Sequence, residues 1–163
     1  MPIKPIIQSL LKLIDVHKEL LTISEQKTEL VKAGTIDKLQ QLLVKERKQI
    51  RLLEQLEGKR QLETEKWLSL QGLPLNDATI TTILENLKNE SEKVEIRKVS
   101  EQLTNYVMKL KHQESLNQTL INQSLEFVQL SLDLLNPSIS NMNYGKQKQE
   151  KKSYNQSIFD SQA

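Results

Sequence analysis

Cysteine is absent from the 163 residues, which excludes a disulfide framework and any thiolate metal site. Glycine and proline number four each and aromatic residues make up 4%. So few turn residues leave little room for a β-rich fold, and so few rings argue against a compact core built on them. No run of eighteen apolar residues occurs, and Met1 to Asp15 lacks a basic start followed by an unbroken apolar block. Neither a transmembrane span nor a secretory signal is expected, which points to the cytoplasm. Net charge is also scarce. Residues 138–163 carry Lys146, Lys148, Lys151 and Lys152 against Glu150 and Asp160, and this surplus is the whole formal charge of +2. The balanced remainder gives no electrostatic reason to bind nucleic acid. Tail lysines of this kind suit either plain solvation or an acidic partner.

What remains is Leu, Glu, Lys and Gln, unbranched residues that lose little rotamer freedom in a helix. A first helix is expected from Ile3, with Pro5 in its opening turn and Gly34 at its end. Its 3–4 spaced seam reads Ile3, Ile7, Leu10, Ile14, His17, Leu21, Ser24, Thr28, Val31. Thr35 is expected to cap a second helix through its hydroxyl, running from Ile36 to Leu70 with Glu46, Glu57 and Arg60 among its seam positions. Pro74 breaks the chain, Asn76 or Asp77 offers the next cap, and a short helix should cover residues 78–88. A last helix spans residues 92–135 and stops at Asn136-Pro137. The fold expected is all-α: an elongated up-and-down antiparallel bundle or coiled coil of three long helices and a short one. Residues 1–137 form the bundle domain and 138–163 a flexible, disordered tail.

Catalytic and metal signatures are missing. Neither His17 nor His112 follows a glutamate by three residues, no His-Glu-x-x-His helix occurs, and there is no glycine-rich phosphate loop. No cofactor, metal site or enzymatic activity is expected. Gly58, inside the second helix, costs helix propensity for no visible reason. In the last helix one stripe, Ile96, Val99, Leu103, Leu110, Ile121, Leu125, Val128, Leu132 and Leu135, reads as core. A second face, Leu116, Leu120, Phe127, Leu130 and Leu134, exists only in the C-terminal half. It suits either a helix touching two neighbours or a docking groove for a partner. Ile158 and Phe159, an apolar pair in a polar tail, form a second candidate docking element.

The order of these segments resembles the FlgN family. The likeness rests on Leu30-Val31-Lys32-Ala33-Gly34-Thr35 followed by Leu39 and Glu46, on Glu57-x-x-Arg60, and on Asn117, Leu120, Leu125 and Phe127. Glu114 stands where the family often has the first residue of an Asn-x-x-Asn pair. The tail's Asn143-Tyr144-Gly145 and Phe159-Asp160-Ser161 are similar to those of FlgN proteins from Gram-positive bacteria. The resemblance implies a cytosolic flagellar type III export chaperone. Such a protein binds terminal helices of the hook–filament junction proteins FlgK and FlgL, prevents their premature assembly and meets components of the export apparatus. Its substrate contacts would lie in the C-terminal region. A structural coiled-coil scaffold or adaptor is the alternative. A lipid-surface protein would need a lysine-lined apolar face, and lysines here mix with glutamates, so stable membrane insertion is not expected.

Overall fold

The computed structural model describes residues 3–135. They form α1 (Lys4–Ala33), α2 (Ile36–Leu70), a 3-10 turn (Leu75–Asp77), α3 (Ile80–Asn86) and α4 (Glu90–Leu135). No strand occurs among them. The expected tail, with Ile158 and Phe159, lies outside the described residues. By packing, Met1–Gln118 and Thr119–Ala163 are separate units.

The two long-helix stops are built alike. Gly34 and Gly72 both adopt left-handed φ, near +70°. Gly34 N donates to Val31 O and Thr35 N to Leu30 O, while Gly72 N donates to Ser69 O and Leu73 N to Leu68 O. This paired closure satisfies carbonyls that would otherwise be orphaned, and only glycine adopts the required φ without cost. Helix starts depart from expectation. The Thr35 hydroxyl makes no cap bond, and only its carbonyl engages, accepting from Leu39 N. Asn76 and Asp77 sit in the 3-10 turn instead, and Thr79 caps α3 by accepting from Thr82 N at 3.2 Å. Asn89 caps α4, its Oδ1 accepting from Ser91 N at 2.9 Å, which moves the start of that helix to Glu90.

In the first unit α1 is buried on more than its expected seam. Ile6, Leu13, Val16, Leu20 and Ile23 are buried along with Ile3, Ile7, Leu10 and Ile14. It is therefore α1, not α4, that needs apolar width, because it packs against neighbours on two sides. The apolar core joins the first half of α1 to Trp67 and Leu68 of α2, Ile83 of α3, Leu87, and Ile96 and Val99 of α4. Ile3 meeting Trp67 fixes α1 and α2 as antiparallel. The contacts of α4 on α1 keep a nearly constant offset: Lys18 lies over Tyr106 with Nζ 5.4 Å from the ring centroid, and Ser24 meets Glu114 and Asn117. These two helices run parallel, as up-down-up order requires.

Candidate functional site

Toward the end of α1 the core turns polar. Lys27 is only 7% exposed, yet its ammonium lies 2.6 Å from Glu46 Oε2 of α2 and 3.3 Å from Glu114 Oε1 of α4. Ser24 Oγ donates to Glu114 Oε1 at 2.8 Å. Asn117, 1% exposed, donates through Nδ2 to the Ser24 carbonyl at 2.9 Å, and its Oδ1 accepts from the Thr28 hydroxyl. Gln113 Nε2 donates to Thr28 Oγ1. Two carboxylates and one ammonium here satisfy one another, and the amide fills its bonds within the protein. Such a cluster holds helices together and offers no free group for chemistry. Among the described residues no group of three or more His, Asp or Glu side chains could hold a metal.

Two other polar features are local. Arg60 pairs with Glu57 on its own helix at 2.6 Å, and that hydrogen bond raises the guanidinium pKa further. This is an i,i+3 surface pair, not a link between helices. His17 Nδ1 donates to the Leu13 carbonyl at 2.7 Å, one turn back.

The second unit contains residues 119–135 of α4, and these expose many apolar side chains. Of the expected docking residues, Phe127 is 70% and Leu134 78% exposed, Leu130 is exposed and Leu120 is half-buried. Leu116, also exposed, belongs to the first unit. The expected core stripe fails here. Leu125, Val128, Leu132 and Leu135 are all exposed, and only Ile121 is half-buried. Helical periodicity groups residues on a face but does not say what covers that face. At 100° per residue the two stripes together take up roughly 220° of the circumference, interrupted by Gln123, Ser124 and Ser131. The two serines lie between the stripes. Ser124 Oγ donates to the Leu120 carbonyl and Ser131 Oγ to that of Phe127, both at 2.9 Å, so their polarity turns back onto the helix. Gln129 donates to Asp133 along the remaining polar strip. A solvated helix normally shows one apolar stripe little more than 100° wide, and a larger exposed patch marks an interaction site.

A model of the family described as FlgN protein matches residues 1–152. The chain belongs to the FlgN family. It is also 35% identical to the uncharacterized protein YvyG of Bacillus subtilis (strain 168) over 165 residues, covering all of both chains. No solved structure matches it significantly. FlgN proteins are flagellar export chaperones, a chaperone family rather than an enzyme family. No helix among the described residues is long and apolar enough to cross a membrane. Against the family pattern Glu114 is a departure, but the position keeps a polar role: Glu114 takes the Ser24 hydroxyl and the Lys27 ammonium together. Sequence reasoning missed Glu114 and Lys27 as partners, and it missed the exposed side chains of the presumed core stripe. The stripe could have been suspected, because residues 119–135 contain no lysine or arginine to rim it.

Proposed function

We propose that this FlgN protein works in the cytoplasm, binding the terminal helices of FlgK and FlgL through α4 and shielding them until they meet the export apparatus. The observation that carries this reading is the exposed apolar arc over residues 119–135, centred on Phe127, Leu130 and Leu134. A terminal helix of a filament-type subunit, unpaired before assembly, presents an apolar stripe that would aggregate in water. Laying that stripe against α4 removes both surfaces from solvent without any covalent step, so release needs no chemistry from the chaperone. Leu116 and Leu120, on the same face by register, would extend the contact toward the N-terminus. Ile158 and Phe159 would add a second foothold from the tail. Residues 1–137 would act as the folded body and 138–163 as an appended arm.

Co-purification of the full chain with FlgK and with FlgL tests this reading. One-to-one complexes that disappear when the last helix of either client is deleted are the expected result. If the free protein instead forms a stable oligomer by light scattering and retains neither client, the arc serves self-assembly and the scaffold reading replaces the chaperone.

A further inference from the structure

The first unit carries a second surface, unrelated to the apolar arc. An open groove of about 440 Å³ lies between α1 and α2 near the Gly34 turn. Leu30 and the buried Leu42 supply its apolar floor, Glu25 and Glu29 stand on the α1 side, and Lys38 and Lys45 on the α2 side. Glu29 has a weak 3.6 Å contact with Lys32 of its own helix. Glu25, Lys38 and Lys45 enter no ion pair among the described residues. Opposite charges thus face each other across an apolar floor without closing on one another. The other side of α1, roughly 120° around by helical geometry, shows what a filled position looks like. There α4 supplies Glu114, and Lys27 is paired twice.

We propose that this groove is a docking surface for one amphipathic helix of a partner protein. That helix would carry a leucine-type ridge, basic side chains on the edge against Glu25 and Glu29, and acidic side chains on the edge against Lys38 and Lys45. A concave floor calls for a convex occupant, and a second copy would present the same concavity at this place. Residues 119–135 of another copy do not fit either, since their only charges are Glu126 and Asp133 and nothing would answer the carboxylate wall. The unlike walls also set direction. Turning a helix end for end exchanges its edges, so only one orientation places base against acid on both sides. From Thr22 to Leu30 the groove follows about 12 Å of α1, which matches two turns of an occupant.

The test uses the full chain, isotope-labelled, titrated with a synthetic helix of about 20 residues, long enough to hold its structure. The probe has a leucine ridge with lysines on one edge and glutamates on the other, and a companion peptide has lysines on both edges. Amide shifts confined to residues 22–45, with the two-signed peptide about tenfold tighter than the all-lysine one, are expected. The variant Glu25→Lys/Glu29→Lys, changed only at exposed positions, should weaken the two-signed peptide about tenfold with its helicity intact. Shifts that fall on residues 119–135, equal affinity for both peptides, or indifference to the double variant would each overturn the proposal. So would concentration-dependent shifts at residues 22–45 with no peptide present, which would assign the groove to a second copy.

Discussion

Lys27 of α1 holds Glu46 of α2 at 2.6 Å, and the same ammonium reaches Glu114 of α4, so one buried charge ties together all three long helices. Leucine seams tolerate a slip of one helical turn because one leucine replaces another. A buried ammonium does not, since a slip strips it of its carboxylates. Asn117 acts alongside it as a neutral anchor on the Ser24 carbonyl. Together they give the parallel α1–α4 pair its register.

Asn117→Leu should therefore destabilise the protein. The replacement removes three hydrogen bonds, to the Ser24 carbonyl and hydroxyl and from the Thr28 hydroxyl, in a site that is 1% exposed at its centre. The cost is on the order of 2–3 kcal/mol, or roughly 5–10 °C in melting temperature for a chain of this size. Lys27→Met should cost less, about 1 kcal/mol, because the Glu46 and Glu114 side chains, 18% and 44% exposed, can take up water. Thermal unfolding followed by circular dichroism measures both. An Asn117→Leu protein that melts with the parent would show that Asn117 contributes nothing to stability.

Gly58→Ala should stabilise. Gly58 is exposed in the interior of α2, its φ is not left-handed, and a Cβ there would meet nothing within 4 Å. Alanine gains about 1 kcal/mol of helix propensity, expected as a rise of roughly 2–4 °C. Nothing among the described residues requires glycine at this position. A lowered melting temperature would contradict the free space found around it.

Deleting everything after Pro137 tests whether the body folds without its arm. Residues 138–163 hold few apolar side chains to offset the entropy of ordering them. The total helical content and the melting temperature should stay put. A fall of more than about 5 °C, the scale of a 1–2 kcal/mol loss, would mean that the arm packs on the body. In the full chain, Ile158→Ser with Phe159→Ser should weaken client binding while leaving the melt unchanged. Unaltered affinity for both FlgK and FlgL would remove the pair from the binding surface.

What the sequence made legible follows from the range of each signal. The Gly34 stop and the span Ile36–Leu70 depend on residues within one turn of each other, and both were readable. Caps were less so. Thr35, Asn76, Asp77, Thr79 and Asn89 all have capping chemistry, and which of them engages depends on the path of the loop. Glu46 and Glu114 meet at Lys27 across sequence separations that no periodicity encodes. On α4 the spacing correctly grouped Leu125, Val128, Leu132 and Leu135 on one face. It could not reveal that no described neighbour buries that face, and this is the fact that bears on function.

Phe127→Asp separates the docking surface from a core more sharply than any other change. Phe127 is 70% exposed in the free protein, so a carboxylate there stays hydrated and α4 loses only the small propensity difference between the two residues. The melting temperature should move by no more than about 2 °C, within the range of an exposed substitution. Bound to a client helix, the same position would lie between Leu130 and Leu134 on one side and Leu120 on the other, the place where an aromatic anchor contributes most. The charge would then have to be desolvated without a partner, and affinity for a FlgK or FlgL terminal-helix peptide should fall about 30-fold or more, the equivalent of at least ~2 kcal/mol. Titration calorimetry and a thermal melt on the same preparation read the two quantities independently. If the variant unfolds early, the face was core. If it is stable and still binds both peptides at full strength, clients dock elsewhere and the arc over residues 119–135 is not the chaperone surface.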